Sequence, residues 1–126
     1  MVQDMQDDAP ITDPLRELRD ALRAFAAERD WDQFHSPKNL SMALSVEAAE
    51  LLEHFQWIKE EDSSRLPPQA LEKISEEMAD VLLYLLRLAD KLDVDIVRAA
   101  KDKMRVNAEK YPADKSRGNS KKYSDL

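Results

Sequence analysis

Two pairs of acidic residues, Glu47 with Glu50 and Glu77 with Asp80, share one spacing: an acid followed three positions later by another. In a helix, residues three apart lie on one face about one turn apart, so each pair can direct two carboxylates to the same point. Two such pairs on antiparallel neighbours bring four carboxylates together, and like charges at that density need a cation. An all-oxygen donor set suits Mg²⁺, with Mn²⁺ as a substitute, and Mg²⁺ shares its shell among carboxylates, waters and substrate phosphates. A helical wheel sets Glu47 close to the apolar stripe of Leu40, Leu44, Leu51 and Ile58, with Glu50 on its flank. On the next helix it sets Glu77 beside the apolar stripe, with Asp80 and Tyr84 further round, and turns Glu76 to the opposite side. Acid pairs also arise on solvated faces in a chain with 26 Asp and Glu. These two stand apart because they face inward on neighbouring helices, with few Lys or Arg placed to neutralise them.

Other residues could meet an organic ligand. Trp31 and Trp57 flank or enter the segment that carries Glu47, and flat indole rings can stack a nucleobase for about 1 to 3 kcal/mol per base. A tryptophan is more often a core or interface residue, and Phe34 reads as core. His35 is either a capping group or a phosphate donor. Lys103 and Asn107 lie four apart on one helix face, with Tyr111 a turn later. A lysine can meet phosphate oxygens and an amide can read a sugar hydroxyl or a base edge, although by composition both are ordinary surface residues. A di-iron carboxylate centre would expect Glu-x-x-His on two helices. His54 follows Glu50 by four positions instead, and the helix carrying Glu77 has no histidine.

Helices must position these groups. The chain has 126 residues, one Gly and 36% charged residues, which suits one all-α domain with long, polar-faced helices. Thr12 or Asp13 can cap a first helix, with Pro14 in its first turn and a stripe of Leu15, Leu18, Leu22 and Phe25 fading near Asp30. The aromatic loop from Trp31 leads to Ser36 as a cap and Pro37 as the first residue of a second helix, expected to run to about Lys59 with Phe55 and Ile58 in its core stripe. A third helix, from about Gln69 to Lys91, carries the widest apolar surface, more than one neighbour could cover. A break at Leu92 to Val94 precedes a fourth, from about Asp95 to Lys110, ended by Tyr111-Pro112. Short connections make an antiparallel four-helix bundle the economical architecture, and the breadth of the third helix implies a homo-oligomer. The expected organisation is a flexible leader over 1–11, a helical domain over 12–112 and a mobile polar tail over 113–126.

The formal charge of -7 argues against a nucleic-acid polymer as partner, because that work needs an excess of cations. No apolar run is long enough to span a membrane, the N-terminus lacks signal-peptide features, and no cysteine is present. The expected setting is cytoplasmic.

Extended stretches add a resemblance. The segments Phe25 to His35, Glu47 to Trp57, Glu76 to Tyr84, and Lys103-Met104 with Asn107 and Tyr111-Pro112 resemble the MazG-like, all-α nucleoside triphosphate pyrophosphohydrolases, and within them the dCTP pyrophosphatase group. The similarity extends from about Leu15 to the C-terminus. It implies that Glu47, Glu50, Glu77 and Asp80 are magnesium ligands. It also implies that Trp31, Asp32, Gln33, Phe34 and His35, with Trp57, Tyr84, Lys103 and Asn107, hold base, sugar and phosphates. Dimers or tetramers with sites built across subunits are implied too. The implied reaction is hydrolysis of dCTP or 5-modified dCTP to the monophosphate and diphosphate. A carboxylate not fully engaged with metal, Glu53 or Glu50, is expected to orient or deprotonate the attacking water. Where vertebrate members have a histidine at the base pocket in the first helix, this chain has Leu22, so dUTP or a broader set of deoxynucleotides stays open. From another class, a non-catalytic helical module that binds nucleotide or protein is the alternative.

Overall fold

The computed structural model describes residues 13–126, so the expected leader over 1–11 and the possible Thr12 cap lie outside it. Among the described residues there are five α-helices and no strand. They are α1 (Pro14–Glu28), α2 (Pro37–Glu53), α3 (Pro68–Lys91), α4 (Ile96–Lys110) and α5 (Ala113–Ser116). No described helix is long and apolar enough to cross a membrane. The chain divides into two units, the first ending at Leu92 and the second spanning Asp93–Leu126.

Local chemistry sets the helix ends of the first unit. The Asp13 side chain accepts from the Arg16 amide at 3.2 Å, which satisfies one of the orphan donors that open α1. Ser36 does the same for α2, accepting from the Asn39 amide at 3.1 Å, and Pro37 occupies the first turn, where no amide hydrogen is needed. Between these helices Asp30 takes a left-handed backbone, φ 54°, and Gln33 Nε2 holds it by donating to its carbonyl at 2.9 Å and its carboxylate at 3.0 Å. A 3-10 turn over Asp32–Phe34 then delivers the chain to Ser36. Because Ser36 anchors the exit of this loop, Ser36→Ala should cost about 1 kcal/mol, measured as a lower urea midpoint at constant m.

The second helix ends six residues earlier than its apolar pattern suggests. After Glu53 the amides of His54 and Phe55 bond to carbonyls three residues back, Leu51 at 3.3 Å and Leu52 at 2.9 Å, which tightens the chain into turns. Phe55 and Ile58 therefore leave the helical stripe, and Ile58 is exposed rather than core. Phe34, also expected in the core, is 60% exposed on the 3-10 turn.

The α3 helix packs on both α2 and α1. The buried apolar residues come from all three: Ala26 on α1, Leu40 on α2, and Ile74, Leu86 and Ala89 on α3. Part of the broad α3 surface stays uncovered, with Leu71, Met78 and Leu82 exposed. Arg87 is buried at 5% exposure in the middle of that apolar run.

In the second unit, Asp95 caps α4 by accepting from the Arg98 amide at 3.1 Å, just after Asp93 turns the chain with a φ of 55°. The segment expected as a mobile tail carries α5 and a final 3-10 turn over Tyr123–Asp125. There Tyr123 stands edge-on to Tyr111 at 6.2 Å, and the Lys110 ammonium lies 4.8 Å from the Tyr123 ring.

Candidate active site

The packing of α2 on α3 brings the acids together. Carboxylate oxygens of Glu47 on α2 and of Glu77 and Asp80 on α3 lie within 4.8 Å of one another. Glu50, one turn after Glu47, is close enough to hydrogen-bond and repel both Glu47 and Glu77. Partial burial, then the Glu50 hydrogen bond and the charges of Glu50, Asp80 and Glu77, push the Glu47 carboxyl up to about 7. Glu77 is raised for the same reasons, burial first, with His54 opposing the shift; His54 Nε2 lies 3.8 Å from its Oε1.

The cluster fits a cation on structural grounds. One oxygen of Glu47 and one of Glu77, both Oε2, are buried without any hydrogen-bond partner. Such atoms cost about 1 to 3 kcal/mol each unless something compensates them. A hard divalent ion among three carboxylates would do so, and the donor set contains only oxygen. Glu76, which the wheel turned outward, is exposed.

A pocket of about 170 Å³ opens beside the acids, lined by Leu22, Phe25, Ala26, Trp31, His35, Asp80, Leu83, Tyr84 and Arg87. Trp31 meets Phe25 edge-on at 5.5 Å and His35 at 6.3 Å, so three rings define one wall. The Arg29 guanidinium lies over the Phe25 ring, 3.5 Å from its centroid. The lining is largely apolar and aromatic with a few polar groups, the usual make-up of a small-molecule site. Asp80 belongs to both the pocket and the acidic triad.

An ionic network braces the loop that bears Trp31 and His35. Arg87 donates through Nε to His35 Nδ1 at 3.1 Å and through one terminal nitrogen to Asp90 at 3.2 Å, and its other terminal nitrogen pairs with Asp32. Lys91 reaches Asp32 at 3.0 Å, and Arg23 from α1 grips Asp90 with two nitrogens at 2.5 and 3.1 Å. The Lys91 hydrogen bond leads in holding Asp32 below the usual carboxylate range, and the Arg23 hydrogen bond leads for Asp90. Burial and then the Arg87 charge push the His35 imidazole down, favouring its neutral form.

Of the ligand-binding residues expected from sequence, the structure brings Trp31, His35 and Tyr84 into one pocket. Asp32 is engaged by Arg87 and Lys91, and Gln33 by Asp30. Trp57 is 86% exposed beyond the end of α2, and Glu53 is exposed at that helix's last position. Lys103 and Asn107 are exposed on α4 in the second unit. Sequence reasoning missed Phe25, Leu83 and Arg87 as pocket residues. The signal for Arg87 was present as a lone cation inside the run Leu85-Leu86-Arg87-Leu88, which helical burial would force to find partners.

An acidic triad on two packed helices, sharing one carboxylate with an aromatic pocket, is matched by a known class. The MazG-like family matches residues 42–126, and the chain belongs to that family. The mouse (Mus musculus) protein dCTP pyrophosphatase 1 is 44% identical over 114 residues, covering 89% of this chain and 67% of the relative. The rat (Rattus norvegicus) protein of the same name is 45% identical over 114 residues with the same two coverages. Among solved structures, a pyrophosphatase from Archaeoglobus fulgidus DSM 4304 superimposes with a TM-score of 0.72 at 42% identity, covering 82% of this chain and 97% of that one.

Proposed function

We propose that this protein is a divalent-metal-dependent nucleoside triphosphate pyrophosphohydrolase that converts dCTP, or a 5-modified dCTP, to the monophosphate and diphosphate. The observation that carries this reading is the double membership of Asp80. One carboxylate joins the cation-fitting cluster to the aromatic pocket, so a ligand that fills the pocket presents its charged end to the acids. The names of the mouse and rat relatives support the same substrate.

Glu47, Glu77 and Asp80, with Glu50 beside them, would hold Mg²⁺ or Mn²⁺. When bound, the ion neutralises charge that develops at the scissile phosphoanhydride bond. Trp31, Phe25 and Tyr84 enclose the base and keep bulk water from it. His35 offers the pocket a hydrogen-bond donor. Water is the nucleophile, and Glu50 orients it and takes its proton, with Glu53 the second candidate for that role. Lys103 and Asn107 are proposed to meet phosphate and sugar. Exposed Met42, Val46, Leu52, Leu71, Met78 and Leu82 support assembly as a homodimer or tetramer of helical bundles, since large apolar side chains clustered on helix faces call for a covering partner.

Leu22 on the pocket wall favours a second reading, with a broader set of deoxynucleotides as substrates. A leucine offers no hydrogen bond to distinguish an exocyclic amine from a carbonyl, whereas a site built to pair a polar group discriminates strongly. The test is diphosphate release from dCTP, 5-methyl-dCTP, dUTP, dTTP and ATP with and without Mg²⁺. The expected result is turnover that disappears on chelation, with dCTP or its 5-methyl form preferred. Tight retention of intact triphosphate with no release would replace the enzyme by a nucleotide-binding module. A preference for dUTP would reassign the substrate.

A further inference from the structure

We infer that Arg87 is a positioning residue that holds His35 in a single neutral tautomer with its proton on Nε2, so that the pocket selects a ligand with a hydrogen-bond acceptor at its edge. The guanidinium of an arginine has five N–H donors, no acceptor, and a charge it does not lose. Any ring nitrogen that Arg87 Nε meets at 3.1 Å must present a lone pair. That nitrogen is Nδ1 of His35, so it cannot carry a proton while the contact lasts. A neutral imidazole has one proton, which must then sit on Nε2. Nε2–H is the only polar group the ring has left to offer, and His35 is part of the pocket wall.

The guanidinium is itself fixed. Asp90 and Asp32 take its two terminal nitrogens, Arg23 holds Asp90 from α1, and Lys91 holds Asp32. Burial at 5% exposure leaves the Arg87 side chain little room to swing away. Of the charges that act on the ring, Arg87 and Lys91 work against a second proton on His35 and Asp32 favours one. A doubly protonated ring would also set an N–H against an N–H. The usual reading of an arginine among carboxylates is structural bracing. This one does something more specific, because one of its donors is spent on a pocket side chain.

The consequence for ligand chemistry rests on the nucleotide reading above. A donor fixed at the pocket wall suits the ring carbonyl of a pyrimidine and leaves a ligand without an acceptor there unmatched. An unpaired donor in a small pocket is what rejects the wrong ligand.

Two measurements on the full chain test this. Long-range proton–nitrogen correlation spectra of nitrogen-15-labelled protein, with His35→Gln to assign the two histidines, should show His35 with a bare Nδ1 and a protonated Nε2. In Arg87→Met, which keeps the apolar stem, the ring should become a tautomer mixture and the KM for dCTP should rise about tenfold, with the loss in KM rather than kcat. A protonated Nδ1 in the wild type would overturn the proposal, as would an unchanged Nε2–H pattern in Arg87→Met. The wild-type spectrum decides the tautomer by itself if the variant does not fold. Absence of dCTP turnover in a wild type with the expected spectrum would count against the nucleotide reading and not against the tautomer.

Discussion

Glu47→Gln and Asp80→Asn each lower kcat/KM for dCTP by about a thousandfold or more, the scale of losing a group that organises charge at a reacting phosphate. Glu47→Gln at the same time makes the metal-free protein more stable at neutral pH. The two effects share one origin. In the folded, metal-free chain the Glu47 carboxyl is raised from 4.5 to about 7 by burial and by Glu50, Asp80 and Glu77 around it. A carboxyl that holds its proton more tightly when folded stabilises the fold below its ordinary pKa, and that stability drains as pH rises between about 4.5 and 7. A neutral amide removes the drain. Solvent on the open side of the site keeps the gain on the order of 1 kcal/mol. His35 titrates with the opposite sign, since its lowered pKa adds stability as pH rises toward 6.5. The comparison of wild type with variant, by urea denaturation across pH in chelator, isolates the Glu47 contribution. A variant that gains no stability above pH 7, or keeps its turnover, would remove Glu47 from the cation site.

The second large effect is on stability. Arg87→Ala should cost about 3 kcal/mol, read as a lower urea midpoint. The loss comes from a buried cation whose partners stay behind: Asp90 at 9% side-chain exposure keeps Arg23, and Asp32 keeps Lys91. The loop carrying Trp31 and His35 loses the two ties to α3 that Arg87 makes and keeps the one from Lys91. The pH dependence has a stated direction. Asp32 and Asp90 have folded pKa values below 3.8, so their contribution is fully present above that value and is lost as pH falls through the folded values. The variant should therefore show a shallower acid transition than the wild type. A cost under about 1 kcal/mol would reduce the network to ordinary surface pairing.

How much of this was legible beforehand depended on distance along the chain. Asp13 and Ser36 are caps that act within three residues, and each does so in the structure. The all-α class followed from apolar periodicity and the near absence of glycine, both local properties. The choice of Glu77 over Glu76 also came from helical geometry, and the structure places Glu77 among the acids while Glu76 faces solvent. Helix termination was harder to read. The apolar stripe continues through Phe55 and Ile58, but hydrogen bonding shifts to three-residue turns after Glu53, and periodicity carries no record of that change.

Contacts between segments far apart in sequence were not legible at all. Arg87 meets His35 across 52 positions and Asp32 across 55, and Arg23 meets Asp90 across 67. No spacing rule connects such residues. Phe34 read as core because its ring is apolar, but a 3-10 turn held by its neighbours points it outward.

The sequence alone determined which carboxylates could converge, because a three-residue step on a helix puts two acids on one face wherever that helix packs. Only the tertiary structure decided what they converge beside. Packing of α1 and α2 on α3 made Asp80 common to the acids and an aromatic pocket, and it turned a lone arginine in an apolar run into the group that orients a pocket histidine. The physical reason is that helical periodicity fixes directions within an element, whereas side chains from different elements meet only once burial has chosen how those elements pack.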